Sequence, residues 1–300
     1  MALRALTASV LPALLFASGA AALALEVLWI RDFALLFGGT APAAAMVLSA
    51  YFAGLALGAR LGGRIRTRGL PLRSYAGLVC GVAALAGCYV LLRSALPAIA
   101  AGLTRSTPPA LLRAARTLLA LAVLLAPTTL LGATLPVAAA AATSVHAAGR
   151  LYAWNTLGGA AGALATSFLV LPALGMGRTF LAAAALDLIV AGAAWAFARR
   201  APAATWTETP ARTRGQAPRP RLAAAVAGTS GAVALAAEVL WARGLSGVLS
   251  GSAYSVALVL TAVLLGIVAG TAIALRVLAR PGRCRAGPPS ARARRCTRCR

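Results

Sequence analysis

Eight apolar stretches, each long enough to cross a lipid bilayer, constrain this chain more than any other feature. A membrane-spanning helix needs about 20 mostly apolar residues. Stretches of this kind occupy residues 9–30, 42–59, 74–92, 116–138, 151–172, 179–198, 222–243 and 253–279. Charged residues make up only 11% of the 300, too few to cover a water-soluble domain of this length. The sequence therefore predicts an all-α bundle of about eight transmembrane helices in a lipid bilayer.

The charge of the chain comes almost entirely from arginine. There are 29 basic residues against 5 acidic ones, which gives a formal net charge of +24. Nucleic-acid-binding proteins can show such a balance, but there the basic residues form a face interleaved with aromatic side chains. Here the arginines lie in the gaps between apolar stretches. We expect no nucleic-acid partner.

The same arginines predict how the chain is oriented in the membrane. Loops on the cytoplasmic side carry an excess of basic residues. With the N-terminus inside, 22 arginines fall in cytoplasmic segments and 7 in outer ones. We therefore expect a multi-pass protein of the inner (plasma) membrane, with its N-terminus and its C-terminal tail in the cytoplasm.

An internal repeat links the first span to the seventh. Residues 18–31 and 230–243 are identical at 11 of 14 positions, at an offset of 212, and the offset continues into the following span. Six spans separate the two copies, so both cross the membrane in the same direction. Parallel repeats of this type occur in six-plus-six transporter architectures. We expect spans 1 and 7 to approach each other through small residues, namely Gly19, Ala22, Gly231 and Ala234.

Glycines spaced by four residues recur in three spans. A spacing of four puts the glycines on one face of a helix, where they let a second backbone approach closely. We expect close helix contacts at three sets: Gly54/Gly58/Gly62, Gly158/Gly162 and Gly266/Gly270.

The repeat also divides the chain into segments. We predict a six-span bundle over 1–198, an Arg/Pro-rich cytoplasmic linker over 199–221, two spans over 222–279 that repeat the first two, and a disordered basic tail over 280–300. On a six-plus-six template four more spans would follow the eighth. The tail contains none, so we expect the template to be cut short.

Polar residues inside the apolar stretches are the candidate functional residues, because such groups are costly within a membrane. Glu26 and its repeat equivalent Glu238 each lie near the predicted outer end of their span, and Asp187 and Asn155 lie in spans 6 and 5. The carboxylates could bind a proton or a cation. Alternatively, Glu26 and Glu238 hold the two halves together through arginines, with Arg31 and Arg243 as candidate ion-pair partners. The tryptophan that follows each glutamate by three residues suits an aromatic belt at the membrane surface.

Features of a catalytic domain are missing from the sequence. His146 is the only histidine, and the sequence has no Walker-A lysine and no glycine-rich motif after a predicted strand. Cys296 and Cys299 lack the further ligands that a zinc site needs. We predict no catalytic residues, no metal site and no cofactor, and the chain gives no sign of being an enzyme by itself.

Three stretches resemble a known family: SGAAALALEVLWIRDFALLFGGT at 18–40, LLGATLPVAA at 130–139 and RLYAWNTLGGAAGALATSFLVLPALG at 150–175. They are similar to the membrane region of bacterial fused membrane/spermidine-synthase-like proteins, which resembles the major facilitator superfamily. The resemblance implies a major-facilitator-like bundle that handles polyamines or small cations. Family members carry a cytosolic aminopropyltransferase-like domain, which nothing in this sequence matches.

Three functional interpretations remain open at this point. The chain is a transport domain for polyamines or other small cations, a non-catalytic membrane module for a separate soluble aminopropyltransferase, or a truncated fragment without function. Uptake of labelled spermidine distinguishes the first, and co-purification of a soluble synthase the second.

Overall fold

The described part of the chain is almost entirely helical, as predicted. The computed structural model describes residues 2–38, 41–65, 71–142, 144–200, 220–248 and 252–279, and no strand occurs among them. The helices are α1 (Ala2–Phe37), α2 (Ala41–Gly62), α3 (Pro71–Leu92), α4 (Leu96–Ser106), α5 (Pro109–Ala139), α6 (Val145–Ala165), a π-helical turn (Thr166–Val170), α7 (Leu171–Arg200), α8 (Pro220–Val248) and α9 (Ser252–Ala279).

Seven helical runs in the described ranges are long and apolar enough to cross a membrane, and the longest of them covers two of the predicted spans. The run from His146 to Arg200 has 55 residues, or about 80 Å at 1.5 Å per residue, against an apolar bilayer core of about 30 Å. Gly175 interrupts it with a φ of 74°, a left-handed conformation that glycine adopts without steric cost. The break falls between the fifth and sixth predicted spans.

A short helix between the third and fourth spans was not predicted. α4 has 11 residues, about 16 Å, and is too short to cross the bilayer. It includes Thr104, which lies between the third and fourth predicted spans. An apolar stretch predicts a membrane helix only when it is long enough to cross the bilayer. A helix as short as α4 contains no such stretch, so the sequence did not predict it.

Helices that are distant in the sequence form the main packing pairs. α1 packs against α6, α2 against α5 and α3 against α7, which joins the first six spans into one bundle. α9 packs against α6 and α8. The assignment of separate units to 1–198 and 222–279 stays a prediction. Most of the predicted linker (201–219) and the whole predicted tail (280–300) lie outside the described residues.

Two of the three glycine sets make the predicted close contacts. A Cβ added at Gly58 would collide with the Thr129 backbone of α5, and one at Gly158 would collide with the Phe16 backbone of α1. The third set does not: nothing lies within 4 Å of a Cβ built on Gly266 or on Gly270 among the described residues.

The predicted approach of spans 1 and 7 through small residues is wrong. Gly19 instead packs against the backbone carbonyl of Asn155 in α6, and a Cβ built on Gly231 meets nothing within 4 Å in the part of the chain that the structure describes. α8 packs on α9, and its most apolar 18-residue segment has no buried residues. α6 provides the small residues that α1 needs for close packing, so the first bundle covers this face of α1 by itself.

Candidate functional site

Glu26 is buried in α1, within the apolar run Val10–Phe37. The predicted span ended at residue 30, but α1 continues to Phe37, eleven residues beyond Glu26. The glutamate therefore lies deep in the span and not near its outer end, as the sequence suggested. Its Oε1 has no hydrogen-bond partner among the described residues, and no salt bridge there joins it to Arg31, whose side chain is exposed.

Asp187 lies at the centre of the sixth span. It follows the break at Gly175 by twelve residues and precedes the end of α7 at Arg200 by thirteen. The side chain is fully buried, and neither Oδ1 nor Oδ2 has a hydrogen-bond partner in the described part of the chain. Asp187 is thus a second buried carboxylate, far from both ends of its span.

Tyr51 of α2 is buried near both carboxylates. Its buried phenol interacts electrostatically with Glu26 and with Asp187. Tyr75 of α3 also interacts electrostatically with Asp187. Glu26 further interacts with Glu238 of α8. The structure therefore brings three of the predicted site residues towards one polar region inside the helices. Nothing in the local sequence pointed to the tyrosines, because their role depends on which helices pack together.

Glu238, the third of these residues, lies at the edge of this region. Glu238 is half-buried on α8, and Arg243 is exposed one and a half turns later. Asn155 is half-buried, and its backbone carbonyl lies against Gly19, two turns before Glu26 in α1. Asn155 therefore marks the crossing of α1 and α6.

A second polar group lies further along α1 and was missed from the sequence. The Nε of Arg93 donates a hydrogen bond of 2.7 Å to Oδ2 of Asp32, and the Tyr89 hydroxyl donates one of 2.9 Å to the same oxygen. Arg93 follows the last residue of α3, and the Asp32 carboxylate raises the pKa of its guanidinium. The sequence does point to Asp32, because it follows Glu26 by six residues and is one of only five acidic residues.

Trp29 does not form part of a surface belt. It is buried to 1% exposure, and its ring centroid lies 6.3 Å from Tyr51, 6.1 Å from Tyr89 and 6.3 Å from Phe180. Its Nε1 has no hydrogen-bond partner among the described residues. Trp241, its repeat equivalent, is 62% exposed. The same motif therefore occupies two different environments.

The site's chemistry comes from carboxylates and phenols. Within the described ranges, no three His, Cys, Asp or Glu side chains cluster as metal ligands. The ring of His146 instead lies 2.9 Å from the carbonyl of Leu275, joining α6 to α9. Buried carboxylates without hydrogen-bond partners take up a proton or pair with a cation, because an isolated charge is strongly disfavoured in an apolar medium.

Comparison with known proteins gave no relatives. No protein-family profile, curated protein or solved structure matches the chain.

Proposed function

We propose that this membrane protein binds a proton or a small organic cation between Glu26 and Asp187, as a step in transport across the bilayer. The observation that carries the proposal is the pair of buried carboxylates on α1 and α7, with three oxygens unpartnered among the described residues. Ionisable groups inside transmembrane helices are rare, and they commonly mark ion or substrate pathways.

The energetics support a role in binding. A charged side chain at the centre of a membrane helix costs about 2.5–3.5 kcal/mol on insertion scales. Two such groups on facing helices repeat that cost, and a bound cation offsets it through direct ion pairs. Aromatic rings near the carboxylates, Trp29 and Tyr51, add attraction for an ammonium group through their π faces.

The sequence resemblance favours a polyamine as the cation. Polyamines carry several ammonium groups separated by methylene chains, so one molecule could contact Glu26 and Asp187 at different groups. This chemistry matches separate carboxylates joined by aromatic and apolar side chains better than it matches a compact hydrated metal ion.

Uptake of labelled spermidine into proteoliposomes tests the proposal. We expect time-dependent uptake with the wild-type chain, and at least a tenfold loss in Glu26→Gln and in Asp187→Asn. Glu208→Gln makes the same chemical change outside the described residues and should leave uptake unchanged. If the wild-type chain neither takes up spermidine nor binds or releases protons in the same vesicles, the proposed function is wrong.

We also propose that the N-terminus faces the cytoplasm of a bacterial inner membrane. The asymmetric distribution of the arginines supports this orientation. Reporter fusions at Arg68 and Gln216 should read cytoplasmic, and a fusion at Thr104 in α4 should read external. An external reading at Gln216 would contradict the parallel repeat.

A soluble aminopropyltransferase partner stays a prediction of the resemblance. The same membrane preparations test it, because such a partner should co-purify with the wild-type chain and with Glu26→Gln alike. Co-purification without spermidine uptake would favour the membrane-module interpretation over transport.

A further inference from the structure

Four small residues are buried in the first copy of the repeat, and their equivalents are exposed in the second. The positions lie four residues apart along α2, on one face of the helix. In α2 they are Ala50, Gly54, Gly58 and Gly62, all buried; at the offset of 212 in α9 they are Ala262, Gly266, Gly270 and Ala274, all exposed.

α5 covers the small-residue face of α2. A Cβ added at Gly54 or at Gly58 would collide with α5, at Thr128 and Thr129 respectively. The contact is reciprocal, since a Cβ added at Gly132 of α5 would collide with the Leu55 backbone. The face therefore accepts a helix with small residues and threonines, at a distance that only glycine permits.

A groove between α8 and α9 shows the same difference between the two copies, buried in the first and exposed in the second. It is shallow and open, with a volume of about 440 Å³, and is lined by Leu240, Trp241, Gly244, Leu245, Val259 and Ala262. Their equivalents in the first copy are Leu28, Trp29, Asp32, Phe33, Val47 and Ala50, all of them buried. In the first copy this space is filled by Tyr89 of α3 and Phe180 of α7, which contact the Trp29 ring.

Contact with lipid does not account for these two features. Large exposed side chains such as Leu265 suit acyl chains, but lipid requires no small residue at every fourth position. Glycine in a helix costs about 0.5–1 kcal/mol relative to alanine, and close approach of another backbone offsets that cost.

We propose that the small-residue face of α9 and the α8–α9 groove together form a docking surface for a partner membrane polypeptide. The partner supplies a transmembrane helix of the α5 type, with glycine and threonine on one face, to Gly266 and Gly270. An aromatic side chain from the partner fills the groove beside Trp241. A second folded copy of this chain does not fit, because its own α3, α5 and α7 are already packed in the first bundle.

Binding of an α5 peptide to the full chain in nanodiscs tests the proposal. The probe is a fluorescent synthetic peptide of residues 109–139, shown by circular dichroism to be helical in the same nanodiscs. We expect saturable binding, detected by energy transfer from a label on the chain. Gly266→Leu and Gly270→Leu should each weaken binding at least tenfold. A Cβ added at either position meets nothing within 4 Å among the described residues, and both positions are exposed, so we expect both variants to fold.

The matched control is Gly192→Leu on α7, another glycine whose added Cβ meets nothing within 4 Å among the described residues. It should bind the peptide as the wild type does. Equal binding by all four proteins, or no saturable binding of a helical peptide to the wild type, would overturn the proposal. So would self-association of the chain that depends on Gly266 and Gly270, because the occupant would then be a second copy.

Discussion

Arg93 and Asp32 tie the end of the third span to the first: Nε of Arg93 donates a 2.7 Å hydrogen bond to Oδ2 of Asp32. Tyr89 donates to the same carboxylate oxygen, so one acidic side chain holds two groups from the end of α3. The arginine side chain is one-third exposed and the aspartate is buried, which places the pair at the boundary of the bundle.

We predict that Asp32→Asn lowers the free energy of unfolding by about 1–2 kcal/mol. Hydrogen bonds to charged groups contribute about 1.5–3 kcal/mol, and partial exposure of Arg93 reduces that value. Thermal melting in detergent measures the change. Arg93→Gln added to Asp32→Asn should cost little more, since the two share one interaction. Arg31→Gln, at an exposed arginine next to Asp32, is the control and should change stability by less than about 0.5 kcal/mol.

Two glycine-to-alanine substitutions should change the free energy of unfolding differently. Gly58→Ala forces a Cβ into the backbone of Thr129 and should destabilise the chain by about 1–3 kcal/mol, the usual cost of overpacking. Gly87→Ala in α3 meets nothing within 4 Å among the described residues, so it should be neutral or stabilise by up to about 1 kcal/mol. Detergent melting curves of the two variants, measured side by side, check the prediction. Equal effects would mean that α2 and α5 are not in close contact.

The two repeated tryptophans should respond differently to the same change. Trp29→Ala removes a buried ring that contacts three other aromatic rings, and should cost about 3–5 kcal/mol. Trp241→Ala removes an exposed ring and should stay within about 0.5 kcal/mol. In variants that keep only one of the two tryptophans and have the chain's other tryptophans replaced by phenylalanine, brominated lipids should quench Trp241 and spare Trp29. Quenching of both would show that Trp29 reaches the lipid.

Asp187→Asn should not destabilise the protein, even though it changes a fully buried residue. Neither carboxylate oxygen has a hydrogen-bond partner among the described residues, so the amide removes a poorly solvated acid of the same size without breaking a bond. We expect an equal or higher melting temperature at neutral pH. A fall of several degrees would reveal that the acid is held by an interaction that the amide cannot make.

The positions of the spanning helices follow closely from the sequence, and their ends do not. Apolar length fixes where a helix crosses, because a membrane leaves backbone groups no partner except the helix itself. The charged residues Arg31 and Asp32 follow the first apolar stretch, so the sequence predicts that the first span ends at residue 30. In the structure Asp32 is neutralised by Arg93 and Arg31 is exposed, and α1 continues to Phe37.

The site was predictable as a set of residues but not as an arrangement. Glu26 and Asp187 attract attention wherever they lie, because a carboxylate in an apolar helix is unusual. Their common neighbour Tyr51 follows from the packing of α1, α2 and α7, which no local pattern records. The repeat also predicts equivalent surroundings for Trp29 and Trp241, and contact between spans 1 and 7 through small residues. In the structure Trp29 is buried and Trp241 exposed, and Gly19 contacts α6 instead of α8.

The pairing of α1 with α6 has a consequence for how the chain is made. Gly19 and the Asn155 carbonyl that it contacts are 136 residues apart, which a ribosome translates in roughly 7 to 27 s at 5–20 residues per second. During that interval α1, with Ser18, Glu26 and Asp32, has left the ribosome before its partner helix exists. We expect the first span to be the part of this protein that depends most on the insertion machinery to keep its polar side chains away from lipid.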